Sequence, residues 1–280
     1  MNQSTIQFSL QKRSNSRRDY SFHKTFGTTV QFAPEVLMLT RILNQGGSNA
    51  CTAYTAVAIR EWMKQGKQYD PDRQFQAELA VWGDPNAQGG VDLQTQMATG
   101  VKTGFFPIGS STPTDNTAAY FSITPTKSFL NPNGLDMYDS IKSAINLQKC
   151  PLSVGVVFYQ EWITAPNGVV PHSQKSVLGR HDMKIAGYTT KKRDGSLIDP
   201  QGNEYLVIQN SWGEGYGDGG LFYFDRYMAD LVFNEGTFYW TDSQDVHYKT
   251  LGLVAALLQN LINLLTQLAP GIPRALGIIH

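Results

Sequence analysis

Near Pro151 the spacing of apolar residues changes, and that change restricts the chain to folds with a helical part followed by a β part. Before it, Ala53, Tyr54, Val57, Ala58 and Trp62 recur at helical spacing from Asn49 to about Lys64, with Ser48 or Asn49 placed to cap the first turn. Asp70 and Pro71 form a helix-start pair ahead of Phe75, Leu79, Trp82 and the stop at Gly83. Val91 to about Val101, and a stretch carrying Tyr138, Ile141 and Ile145, are further helix candidates. After Pro151 the apolar runs become short, β-branched or aromatic, and Gly-rich turns separate them: Leu152 to Tyr159, Met183 to Tyr188, Glu204 to Gln209, Leu221 to Phe224 and Thr237 to Trp240. The expectation is an α+β domain over residues 31–248. Its helical lobe covers about 45–130 and its β lobe about 135–248, with a cleft between them as the place for a site.

A 280-residue chain with 41% hydrophobic residues can build cores of that size. Twenty-three basic residues balance 23 acidic ones, so no general attraction for nucleic acid is expected. Residues 1–30 read as a flexible basic arm, with Lys12, Arg13, Arg17, Arg18 and Lys24 against Asp19. No apolar run follows these charges as a secretory signal requires, and the mature chain is expected to start near Met1. Only Cys51 and Cys150 occur, which favours a reducing compartment and a cytoplasmic or particle-associated protein. A bridge between them stays open at this level and would consume the Cys51 thiol.

A thiol becomes a strong nucleophile as its thiolate, which a helix N-terminus and a neighbouring imidazolium both favour. Cys51 opens the first predicted helix, after the turn Gln45-Gly46-Gly47-Ser48-Asn49-Ala50. Taken alone, a buried small hydrophobe is the commoner fate of such a cysteine. His181 heads the strand-like run to Tyr188, where a strand start puts a side chain at a cleft edge; His172 is a second candidate base. Asn210-Ser211-Trp212-Gly213 and the glycines that follow end another strand. They place an amide that can fix an imidazole tautomer and an indole that can shield the bond. The alternative for that run is a Gly-rich hairpin. Neither the two cysteines nor the five histidines show ligand spacing, so neither a metal nor an organic cofactor is implied.

Together these segments, over roughly Phe32 to Thr241, resemble the papain family of cysteine peptidases, in which Gln, Cys, His and Asn follow in this order and spacing. The resemblance implies a papain-like two-lobed fold with an antiparallel, barrel-like β lobe. It implies an endopeptidase acting on protein or peptide substrates through a thioester. Cys51 matches the nucleophile, His181 the base, Asn210 its orienter, Gln45 the oxyanion-hole glutamine and Trp212 the tryptophan of the Asn-Ser-Trp-Gly motif. Gly89 and Gly90 match the pair that binds the substrate backbone. Family geometry puts Asp182 and Gly155 near the pocket for the second residue upstream of the cut, where Asp182 would favour a basic side chain; a salt bridge to Arg180 or Lys184 is the competing role. The chain departs from the family at Ser48, where a bridge cysteine is usual, and at Thr52, where an aromatic is usual. It is similar there to a disulfide-poor bacterial and viral branch with Cys-Thr-Ala at the nucleophile. The family's large inhibitory propeptide has no match, so some other control, or none, is expected to restrain activity.

Residues 249–280 fall outside the resemblance. Val254, Leu257, Leu258, Leu261, Ile262, Leu264, Leu265 and Leu268 share one side of a helical wheel, with Gln259, Asn260, Asn263, Thr266 and Gln267 on the other and no charge from Thr250 to Pro273. Residues 251–270 are read as a surface for docking, self-association, an assembly partner or membrane contact, the last ranked lowest because the polar face lacks Lys and Arg. The rival to an enzyme is a papain-like scaffold serving a larger assembly, a viral particle included, anchored by this tail. Acyl transfer to an amine stands beside hydrolysis.

Overall fold

The computed structural model describes residues 20–21, 32–84, 90–125, 127, 134–233 and 236–242. The tail read over 249–280, and all of the arm except Tyr20 and Ser21, lie outside the described residues. Helix α1 spans Cys51–Met63, α2 Pro71–Trp82, α3 Leu93–Lys102, α4 Met137–Gln148, α5 Gln160–Ile163 and α6 Arg226–Val232. The strands are β1 Tyr20–Ser21, β2 Val36–Leu37, β3 Ala119–Ser122, β4 Leu152–Tyr159, β5 Val177–Thr189, β6 Tyr205–Gln209, β7 Leu221–Phe224 and β8 Gly236–Thr241.

Aspartates start most of the helices. Asp70 accepts from the backbone N–H groups of Asp72 and Arg73, and Pro71 supplies the preset φ of the first turn of α2. Asp92, Asp136 and Asp225 cap α3, α4 and α6 in the same way, each taking one N–H. Gly83 closes α2 at φ +88°, a left-handed conformation suited to glycine.

The strands form one sheet in the order β1-β3-β8-β4-β5-β6-β7, with β2 added alongside β5. All pairings are antiparallel except β1 with β3, where Tyr20 and Ser21 meet Phe121 and Ser122. The register of β5 shifts between Ile185 and Gly187, and β2 crosses there. A Cβ at Gly187 would fall 1.9 Å from the Val36 carbonyl oxygen, so only glycine lets this crossing strand in. Beyond β2, residues 38–45 run on toward the start of α1.

Among the described residues the two larger apolar cores match two lobes. Ile141, Val154, Phe158, Trp162, Phe222 and Met228 belong to the β-lobe core. Val57, Ile59, Met97, Phe105, Phe238 and Trp240 belong to the helical-lobe core, which therefore borrows two aromatics from β8. At the far end of α1 the fully buried Arg60 donates to the Asp115 carbonyl and pairs with Asp242 at 2.5 Å, which Lys64 also reaches at 2.8 Å. The architecture is α+β and two-lobed.

Candidate active site

Cys51 is the first residue of α1 and is almost fully buried. The cap expected from Ser48 or Asn49 is not made: the N-cap residue is Ala50, with no side-chain hydrogen bond, and no acidic residue occupies the first turn. Ser48 instead turns its hydroxyl to the Gln45 carbonyl at 2.7 Å. Among the described helices of seven residues or more, α1 alone lacks an aspartate cap. Its positive end is thus left to whatever charge Cys51 carries. Cys51 and Cys150 are not joined to each other; both are buried thiols.

Gln45 is brought in by pairing between two distant segments. The Gln45 N–H donates to Ser211 O at 2.8 Å, the Gly213 N–H donates to Leu43 O at 2.9 Å, and Asn44 bridges Trp212. The Gln45 side chain donates from Nε2 to Ser48 O at 2.8 Å and accepts the Ser211 hydroxyl at Oε1 at 2.6 Å. A carbonyl can only accept, so the Ser48 contact fixes which end of the amide is nitrogen, and that nitrogen carries a second N–H.

The same logic settles the imidazole. Asn210 Oδ1 accepts the Ser211 backbone N–H at 2.7 Å and lies 2.8 Å from His181 Nε2. An oxygen already identified by a backbone donor receives a proton from Nε2, leaving Nδ1 as the nitrogen that can exchange one. The Trp212 indole stacks on His181, and burial pushes His181 down to about 4 against the Asn210 hydrogen bond, which holds it up. Contrary to the reading of His181 as a strand start, β5 begins four residues earlier at Val177, and His181 pairs with Val156 inside the ladder. His172, the other histidine considered, is exposed and pairs with Asp225 at 2.6 Å.

Asp182 corrects an expectation. It does not face an open subsite: it is fully buried, with Oδ1 2.8 Å from Ser153 Oγ and Oδ2 accepting Gln96 Nε2 at 2.7 Å. Burial raises it well above the ordinary carboxylate range, with the charge of Glu78 adding to the shift, while the Ser153 and Gln96 bonds oppose it. Neither Arg180 nor Lys184 supplies these bonds; Lys184 is directed to Thr40 Oγ1 and Gln209 Oε1. Gly155 is likewise interior, in register with Asp182 on one side and Gly236 on the other. Gly90 is described, buried and at φ +73°, just before the Asp92 cap; Gly89 lies outside the described residues.

Thr52, where an aromatic was the family expectation, fills its place with polar contacts. Its hydroxyl meets Glu78 Oε2 at 2.6 Å and its carbonyl accepts Gln96 Nε2 at 2.7 Å. Glu78 and Gln96 carry no motif and are found only through this packing. Among the described residues no group of three or more His, Cys, Asp and Glu is arranged to hold a metal ion, and no helix is long and apolar enough to cross a membrane.

Residues 110–236 match the model of the papain family cysteine proteases, a span that includes His181, Asn210 and Trp212 and begins after Cys51. The chain is 23% identical over 218 residues to cathepsin B-like CP2 of Giardia intestinalis, covering 70% of this chain and 68% of that protein. It is 25% identical over 209 residues to cathepsin B-like CP3 of the same organism, covering 66% and 64%. It thus spans about two thirds of the length of each of these relatives. In fold it is similar to xylellain, a cysteine protease from Xylella fastidiosa, with a TM-score of 0.60 at 16% identity, covering 84% of this chain and 96% of that one. It is also similar to digestive procathepsin L 3 of the Tenebrio molitor larval midgut, with a TM-score of 0.57 at 14% identity over 83% of each chain.

Proposed function

We propose that the chain is a papain-like cysteine peptidase that cleaves peptide bonds with Cys51 as nucleophile, His181 as base and Asn210 as the group that orients the base. The observation that carries this assignment is the Asn210 oxygen shared by the Ser211 N–H and His181 Nε2, which leaves Nδ1 to serve the thiol.

In this reading the proton moves from Cys51 Sγ to His181 Nδ1. An imidazole as deeply buried as His181 holds a second proton only opposite an anion, so thiolate and imidazolium arise together. The thiolate attacks the scissile carbonyl carbon. The new oxyanion accepts from the Cys51 backbone N–H and from the second N–H of Gln45 Nε2. His181 then gives its proton to the leaving amine, and a thioester remains. Water, losing a proton to His181, attacks the thioester and releases the acid and the free thiol. An amine in place of water would give acyl transfer by the same route.

The test is alkylation. Purified protein under reducing conditions is treated with iodoacetamide or an epoxysuccinyl probe, and the modified residue is located by mass spectrometry in wild type and His181→Ala. Fast labelling at Cys51 that falls in His181→Ala, with Cys150 as the internal reference thiol, supports the assignment. Slow labelling that ignores His181 overturns it and favours the scaffold reading.

A further inference from the structure

The residue after Cys51 and the residue after His181 are held by one side chain. Gln96, on α3, donates from Nε2 both to the Thr52 carbonyl and to Asp182 Oδ2, each at 2.7 Å. Its Oε1 lies 3.0 Å from Ser153 Oγ, which is 2.8 Å from Asp182 Oδ1. All of these polar groups are buried. A second tie runs beside them, from Thr55 Oγ1 to the Asp182 carbonyl at 3.1 Å. Helix α1 and strand β5 belong to different lobes, so Gln96 spans the junction that any thiol–imidazole pair needs.

Counting protons closes this group into a ring. The Thr52 carbonyl can only accept, so the nitrogen of Gln96 faces it and Oε1 faces Ser153. The Ser153 hydroxyl has one proton and two oxygens beside it. If it donates to Gln96 Oε1, the bond to Asp182 Oδ1 must be supplied by Asp182. The carboxyl then carries its proton on Oδ1, while Oδ2 accepts the second N–H of Gln96. Every donor and acceptor in the ring is matched, with no net charge in a site that water does not reach.

We propose that Gln96 is a positioning residue, tying Thr52 to Asp182 through a neutral ring with Ser153 and thereby setting the thiol of Cys51 against the imidazole of His181. The inference rests on the Cys51–His181 assignment above. Glu78 is the other titratable group at this place, joined to the Thr52 hydroxyl from α2. No other charged group meets the ring from α1, α3, β4 or β5 in the contacts described.

A double-mutant cycle tests it. The rate of iodoacetamide alkylation at Cys51, in which the thiolate displaces iodide, is measured for wild type, Gln96→Met, His181→Ala and the pair, with thermal unfolding followed in parallel. Gln96→Met keeps the volume and removes both donors. It is expected to slow alkylation tenfold or more in the wild-type background and less than twofold in the His181→Ala background. A loss of stability alone would leave the alkylation rate of the folded protein equal in the two comparisons. Asp182→Asn can donate to Ser153 and accept from Gln96, and is expected to stay within about threefold of wild type. If Gln96→Met does not unfold cooperatively, Gln96→Glu, which keeps the shape but not both donors, takes its place in the cycle. Equal losses in both backgrounds, or an Asp182→Asn variant as slow as Gln96→Met, would overturn the proposal. Wild type and His181→Ala alkylating alike would instead overturn the catalytic assignment.

Discussion

The indole of Trp212 lies over the imidazole of His181, ring centroids 4.6 Å apart and planes 26° from parallel, and Phe158 meets both rings edge-on. The stack covers the imidazole that bonds Asn210, keeping that bond where a hydrogen bond is worth more than in water. Trp212→Ala should therefore weaken orientation as well as packing. We expect alkylation of Cys51 and peptidase turnover to fall about tenfold or more, and stability to fall by about 3–5 kcal/mol as for other large-to-small core changes. Trp212→Phe keeps an aromatic face and should recover most of the rate; kinetics beside thermal unfolding separates the two effects. A Trp212→Ala variant that is destabilised but kinetically unchanged would limit Trp212 to packing.

Gln45 should matter through its nitrogen. Loss of one oxyanion donor typically costs about 3 kcal/mol of barrier, so Gln45→Ala is expected to slow turnover about a hundredfold while leaving iodoacetamide alkylation of Cys51 nearly unchanged, since alkylation builds no oxyanion. Ser211→Ala removes only the hydroxyl that holds Gln45 Oε1 and should cost less, about tenfold at most. Equal effects of Gln45→Ala on turnover and alkylation would place Gln45 outside the oxyanion site.

Asp182 should not select basic side chains. Its carboxyl is buried and engaged with Ser153 and Gln96, so it is not presented to a substrate. Profiling with a peptide library varied at the second position upstream of the cut is expected to show no preference for Arg or Lys. Asp182→Asn should leave the profile unchanged. A preference that Asp182→Asn abolishes would contradict the buried placement.

Glu78 should make stability depend on pH. Burial pushes it from 4.5 to about 8, opposed by the Thr52 hydroxyl. Below about pH 4.5 folded and unfolded chains both hold the proton, and this group's contribution is fully present. As pH rises toward about 8 the unfolded chain releases the proton first, so stability is lost across that window. Lys184, lowered to about 7 by burial, contributes the opposite slope only at higher pH, between about 7 and 10.5. Unfolding measured at pH 5 and pH 7 should show Glu78→Gln gaining on wild type as pH rises. An advantage that stays constant over that range would mean Glu78 ionises normally.

The sequence places most regular elements because their signals are local. Asp70 and Pro71 start α2 where side chain and ring dictate it, and the apolar runs from Leu152 and Leu221 become β4 and β7. The segments carrying Gln45, Cys51, His181 and Asn210 can be singled out from residue type and spacing, and the structure joins His181 to Asn210 and Gln45 to Ser211. Other features have no local signal. The two residues of β2 depend on Gly187 admitting them to the edge of β5. The missing cap of α1 follows from Ser48 bonding back to Gln45. Gln96 reads as an ordinary polar residue in a helix, and only packing between lobes makes it a bridge. Asp182 is misread from sequence because its neighbour His181 suggests a cleft wall, whereas alternate strand residues face opposite sides of a sheet.

Asp242 is moored to Arg60 and Lys64 at the C-terminal end of α1. Cys51 stands at the opposite end of α1, about 18 Å away along a 13-residue helix. Asp242, the last described residue, is therefore fixed about one helix length from the thiol. Thiol and ion-pair mooring thus occupy opposite ends of one rigid rod.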